Sequence, residues 1–402
     1  MQLERKGSIF KGKLIFTMLI LLIYMTGRYI PLYGIDTQAY ADSVVGAEDI
    51  LMQVIGGDTY QHSLFALGIF PHIIATLIVQ IFMLCMGTER REKVSPRKMN
   101  WITLFLTLIL ALLQAISSAE GLMFGVEREN LYFAKLIAML EMMTGAMVVL
   151  KLANMNKKYG IGGQTILIIF NIASGIAVNV KGHIPGNLVI PILISAEVML
   201  VILVMENMER RLPLQRVSIH NIYANKNYMA IKYNPIGVMP VMFSTAFFML
   251  PQLIVNLLCL LFPANLVLIW WQDNLNLGTP LGIMIYIIIV YMLTIGFSFI
   301  FINPKDTMEQ FLKNGDSIIN IHAGRDTKRY LRKQVFQISF FSATVMSVCL
   351  GVPLILQLRG NIDGNLAMLP SSAMMMAGML CNFGREGVAV RSYDAYRRFS
   401  FM

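Results

Sequence analysis

The sequence predicts an all-α polytopic membrane protein with ten transmembrane helices. Three observations carry that expectation: scarce charge, ten long apolar runs, and the side of those runs on which Lys and Arg collect. The chain has 402 residues, of which 56% are hydrophobic and only 14% charged. A soluble domain carries about 25% charged residues, so lipid is the expected solvent for most of the surface. Crossing roughly 30 Å of hydrocarbon takes about 20 mostly apolar helical residues. Ten runs qualify: 13–30, 64–87, 101–119, 131–153, 161–179, 188–206, 236–261, 281–302, 334–356 and 366–389. A Gly, Pro or polar residue within a run is tolerated where neighbouring helices satisfy the freed backbone.

With the N-terminus in the cytoplasm, the inner segments 1–13, 88–100, 151–160, 207–235, 303–333 and 384–402 hold 28 of the 33 Lys and Arg residues. Arg28, Arg128, Lys181 and Arg359 fall on or near the outer side, and Lys135 lies within a span. Short loops rich in Lys and Arg stay inside. The asymmetry therefore predicts an even number of spans with both termini cytoplasmic. It also accounts for the net charge of +10 through orientation and inner-leaflet attraction, with no nucleic acid required.

The first 30 residues have the length of a signal peptide, but no small-residue cleavage site follows Tyr24, so they are assigned to span one. The outer connection 31–63 contains DSVVGAEDILMQVIGGD. Asp42 or Ser43 can cap a helix start, Glu48 and Asp49 suit its positive end, and Gly56-Gly57 stops it. Ile50, Leu51, Val54 and Ile55 then share one face. That helix is too short to span and too apolar for water. It tucks into a cavity of the protein or packs on the outer surface. Span two opens with Gly68 and Pro71, so its helix is expected to begin near Ile69, after a segment running in from a cavity.

The spans divide five and five near 182–187. An odd number per half gives opposite topology, as in inverted-repeat transport folds; helical packing without symmetry is the alternative. Two inner connections are long and basic. In 210–234, residues alternate on either side of Ala224-Asn225-Lys226-Asn227, predicting a β-hairpin. In 303–333, a polar helix after Pro304 meets a break at Gly315. An Ile-rich turn follows, then the basic run Arg325, Lys328, Arg329, Arg332 and Lys333. A docking face, or solvated loops that merely fix orientation, would look like this.

Cys85, Cys259, Cys349 and Cys381 all fall in apolar runs and are expected as core residues. The five His lack ligand spacing, and HExxH, GxSxG and GxxxxGK[ST] are all missing. No metal site, cofactor or enzymatic activity is therefore expected.

Six blocks resemble the SecY family of protein-conducting channels, in family order. They are GRYIPLYGID (27–36), SLFALGIFPHIIATLIVQ (63–80), GIGGQTILIIFNIASGI (160–176), ERRLPLQR (209–216), KYNPIGVMPVMF (232–243) and NPKDTMEQFLKNGDSIINIHAGRDTKRYLRK (303–333). The departures are informative. The family's Gly-Asn-Gly is Gly162-Gly163-Gln164, the tyrosine at the start of span two is His72, and the Pro-Gly-Ile-Arg-Pro-Gly of the basic loop is 319–324, with His322 in place of Arg. Together with a short chain and 30 Met, these resemble the accessory Sec-system branch of Gram-positive bacteria.

The resemblance implies a pore between two inverted halves, 1–181 and 182–402, in the bacterial cytoplasmic membrane. It implies a separate SecA-type motor ATPase of the accessory form, small SecE- and SecG-like or accessory secretion subunits, and exported polypeptide cargo, typically serine-rich glycosylated adhesins. The alternatives are a general SecY subunit or an ion-coupled secondary transporter using Glu141 and Glu197. Those glutamates otherwise pair with Lys135 or another donor. The family's apolar pore ring maps to Ile69, Ile73, Ile169, Ala173, Met242 and Met375. The plug maps to about 37–62, with Ile50, Leu51, Val54 and Ile55. Motor docking maps to the inner loops 207–235 and 303–333, through Arg210, Arg211, His322, Arg325, Lys328 and Arg329. Gln80 and Asn256, in spans two and seven, are expected to hydrogen-bond across a closed lateral gate or to be satisfied locally. Each ring residue taken alone would otherwise be ordinary core or lipid-facing packing.

Overall fold

The computed structural model describes residues 9–36, 62–85, 94–125, 130–181, 185–216, 227–262, 265–360 and 364–399. In chain order the elements are α1 (Ile9–Gly27), α2 (Phe70–Cys85), α3 (Pro96–Gly121), α4 (Leu131–Tyr159), α5 (Thr165–Lys181) and α6 (Pro185–Asn207). Strands β1 (Glu209–Arg216) and β2 (Tyr228–Lys232) follow, then α7 (Met239–Leu261), α8 (Leu266–Asn274), α9 (Pro280–Ile302) and α10 (Pro304–Asn314). The chain ends with β3 (Asp316–Ile318), α11 (Arg325–Leu358), α12 (Gly364–Ala367) and α13 (Leu369–Phe399).

A helix lies over each of the ten apolar runs. Among the described residues seven helices are long and apolar enough to cross a membrane by themselves, and α2 and α5 are shorter apolar helices. Their starts follow from local chemistry. Pro occupies the first helical turn of α3, α9 and α10, where a missing N–H costs nothing. Side chains of Ser95, Thr279 and Asn303 accept from the N–H groups of Lys98 (3.4 Å), Gly282 (3.2 Å) and Lys305 (3.2 Å). α5 starts later than the apolar run suggests. Gly162 and Gly163 adopt φ of +80° and +49°, and the Asn156 side-chain amide donates to the Ile161 and Gly163 carbonyls at 3.0 and 2.9 Å.

In the first half, α2 packs on α3, α3 on α4, and α1 on α4. In the second, α7, α9 and α11 pack in succession, and α6 lies along α13. The halves meet where α13 touches α1 and α5, and where α3 touches α7. The α3–α4 contact is made by Ala111, Ala115 and Ala119 against Ala138, Met142 and Ala146, small side chains that let helices approach closely. Gly145 of α4 is required where the turns at 62–69 cross it, because a Cβ would collide with the Leu64 carbonyl.

The outer connection between α1 and α2 closes on itself. Pro31 and Ser63 form an antiparallel bridge, flanked by Leu32 N–H to His62 O (3.0 Å) and Leu64 N–H to Ile30 O (2.9 Å). At the end expected to be inner, β1 pairs antiparallel with β2, Glu209 opposite Lys232 and Pro213 opposite Tyr228. This is the expected pair of hairpin strands; the Asn-rich turn lies outside the described residues. The sequence did not announce the third strand. β3 pairs with the far end of β1, Leu214 opposite Ile318, so one sheet of order β2-β1-β3 unites the two inner loops.

Candidate functional site

The residues expected at an apolar waist fall in the main buried core, which draws on both halves of the chain. Residues 62–69 form turns, Gly68 takes φ +53°, and α2 begins at Phe70. This places Ile69 and Ile73 at the helix entry, as expected from Gly68 and Pro71. Ile69, Ile73, Ile169 and Met375 are all buried in one cluster, against which Met242 packs half-buried. Five of the six residues expected in the ring thus belong to the main apolar core, which α2, α5, α7 and α13 all enter. Ala173 is not among them. It stays exposed one turn beyond Ile169, whereas Leu167, Ile168 and Ile172 of α5 are buried in the cluster with Ile169. The expected plug residues Ile50, Leu51, Val54 and Ile55 lie outside the described residues.

Beside the waist is a cavity of about 680 Å³, lined by His72, Thr76, Gln80, Asn100, Asn154, Lys157 and Glu386, among others. Its polar lining contrasts with the waist. The His72 imidazole lies 3.2 Å from the Thr107 hydroxyl, tying α2 to α3. The Glu386 carboxylate, from α13, accepts from Gly162 N–H at 3.2 Å and so links the two halves at the inner end.

Gln80 and Asn256 do not form the expected gate bond. Gln80 sits five residues before the end of α2 and Asn256 five before the end of α7. Successive spans alternate in direction, so the two residues lie at opposite ends of the helix layer. Among the described residues no hydrogen bond joins them.

Of the charged residues within spans, Glu141 finds a local partner as expected, with a donor other than Lys135. Lys135 pairs with Glu120 at 2.7 Å, not with Glu141. Glu141 accepts the Tyr33 backbone N–H at 2.8 Å and so holds the outer stem. Glu197 is exposed on α6. Neither glutamate lines the polar cavity.

The basic face rests on the inner sheet. Leu212, Ile231 and Ile318 bury one side of it against Leu331 and Ile338 of α11. Arg211 pairs with Glu209 at 2.7 Å and lies 4.7 Å over the Tyr228 ring. The Glu209 hydrogen bond raises the guanidinium pKa further. Arg210 is half-buried on the same strand. His322, Arg325, Lys328 and Arg329 are all exposed. They stand just before α11 and on its first two turns, where Thr327 Oγ1 donates to the His322 carbonyl at 2.9 Å. The basic run continues directly into the membrane helix.

Two features escaped the sequence. Arg385 of α13 donates to the Glu206 carbonyl oxygen at 2.9 Å and to its carboxylate at 3.3 Å, and Asn234 donates to the other carboxylate oxygen at 3.3 Å. The Glu206 side chain is only 2% exposed, and a buried carboxylate requires such partners. A lone Glu closing an apolar run was the available signal. Asn156, just before the Gly-rich stretch, was the signal for the α5 cradle.

A family model described as SecY matches residues 63–382. A relative from Leuconostoc gelidum subsp. gasicomitatum, named accessory Sec system protein translocase subunit SecY2, is 29% identical over 97% of this chain and 96% of its own length. A relative of the same name from Staphylococcus carnosus is 30% identical over 85% of this chain and 91% of its own. A solved structure described as "The structure of a protein conducting channel" has the same fold, with TM-score 0.69 at 15% identity, covering 98% of this chain and 95% of that one. The matched residues contain the apolar core residues expected at the waist, the polar cavity's lining apart from Glu386, the sheet and the basic run: the chain belongs to the SecY family.

Proposed function

We propose that this chain is the pore subunit of an accessory Sec translocon in the bacterial cytoplasmic membrane, with both termini cytoplasmic. Exported polypeptides, serine-rich glycosylated adhesins among them, cross between its halves 1–181 and 182–402. A separate SecA-type ATPase of the accessory form drives them, and small SecE- and SecG-like or accessory subunits complete the assembly. The observation that supports this function is that Ile69, Ile73, Ile169 and Met375 share one buried apolar core, with Met242 packed against it, drawn from both halves. A hydrophobic constriction blocks ions because wetting it is costly, and flexible Met side chains adapt to varied passing residues. The two inner loops, joined in one sheet, supply the motor's docking surface through Arg210, Arg211, His322, Arg325, Lys328 and Arg329. An always-charged Arg replaced by a shorter ring at 322 favours a motor with a matching altered surface.

Photo-crosslinkers at Met242, Met375 and the exposed Leu22 of α1 test the path. During export of a stalled polypeptide, adducts to cargo are expected at the first two and not at Leu22. Equal labelling at all three overturns the pore assignment.

A further inference from the structure

α6 carries an acid where a membrane helix accommodates one least well. The helix runs from Pro185 to Asn207, and Glu197 stands about 18 Å from its start and about 15 Å from its end along the axis. Glu197 is exposed. So are Val189, Leu193, Leu200 and Val204, each by more than half. Helical spacing puts all five on one face. The opposite face, with Val198, Ile202 and Met205, is buried along α13. α11 flanks the exposed side. Its Leu356 packs against the cluster that holds Leu188 of α6. Further along, its half-buried Cys349 lies within electrostatic reach of the Glu197 carboxylate.

A carboxylate at the centre of a bilayer is costly unless it is paired, and this side chain is far too short to snorkel to either boundary. Among the described residues nothing forms a hydrogen bond or ion pair with Glu197. The chain has no cation to offer it. Runs 188–206, 236–261, 281–302 and 334–356 contain no Lys or Arg, Lys135 is held by Glu120, and Arg385 by Glu206. A second copy meeting this face symmetrically would set Glu197 against Glu197. Lipid tails carry no donor at that depth. A separate helix with one Lys or Arg at mid-span satisfies the charge, the depth and the apolar surroundings together.

We propose that the exposed face of α6 docks a single-span helix of a separate subunit, which brings a Lys or Arg to Glu197 at mid-membrane depth. The proposal needs only that α6 crosses the membrane, so it is independent of the pore assignment.

The test uses the full chain in phosphatidylcholine vesicles, with a photo-crosslinker at Leu200. Two synthetic single-span helices of leucine and alanine serve as probes, one with Lys at its centre and one with Leu there. The Lys helix should crosslink about tenfold more, and Glu197→Leu should remove the difference. That substitution relieves α6 of a charge in lipid, so a lost adduct does not report misfolding. Glu197→Lys should transfer the preference to a helix with Glu at its centre. Equal crosslinking of the two probes to the unaltered chain overturns the proposal, as does a Lys preference that persists in Glu197→Leu. In membranes of the producing bacterium, the same crosslinker should capture a single-span protein with Lys or Arg at mid-span. Capture of a second copy of this chain, or of lipid alone, overturns the proposal.

Discussion

The waist and the inner face are held together by different physics. At the waist, Ile69, Ile73, Ile169, Met242 and Met375 meet through apolar contact, which has no preferred direction and survives small displacements. At the inner face, β1 is hydrogen-bonded on both sides, Gly315 closes α10 in the left-handed conformation, and Arg385 clasps a buried Glu206. Directional bonds of that kind are either made or lost. Contacts of the first kind tolerate rearrangement. Bonds of the second kind fix where the charges of β1 and of the start of α11 stand.

The largest expected effect comes from breaking the waist's apolar character. Ile73→Asp places a carboxylate where the side chain is buried, at a cost of several kcal/mol for the charged form. In liposomes it should raise ion flux well above wild type, and unchanged flux would deny Ile73 a place in the seal. Next, Leu331→Ala removes a fully buried anchor beneath the sheet and should cost about 2–5 kcal/mol locally. Hydrogen exchange should speed up in β1, β2 and β3 but not around Ile69. Spread of that effect to the waist would show that the two regions are one cooperative unit. The smallest effect is Asn303→Ala, which deletes the α10 cap for about 1 kcal/mol. It should fray 304–307 and leave motor co-purification intact.

Elements governed by local pattern were legible in the sequence: ten runs became ten helices, and Gly315 and Pro304 bounded α10 as expected. Contacts between distant segments were not. β3 is three residues long, and Ser317 meets Gln215 across 102 positions, so no local period announces it. α8 was hidden because the connection after α7 is too short to register as a span. Its Asn265 side chain nevertheless caps it at Val267 N–H, 3.1 Å away. Gln80 and Asn256 were paired as polar residues in neighbouring spans, and the alternation of helix direction separates them. Ala173 was mapped by resemblance and stands exposed, whereas its neighbour Ile172 is buried with Ile169.

α11 runs unbroken for 34 residues, from Arg325 to Leu358, about 51 Å. Its basic first turns and its membrane portion therefore form a single beam. Tilting such a beam by about 5° carries its far end roughly 4 Å, on the order of the width of a methyl group. A partner leaning on Arg325 and Arg329 would thus act mechanically at membrane depth without any loop to relay the push. The α9 and α13 helices packed along the beam would feel the load first.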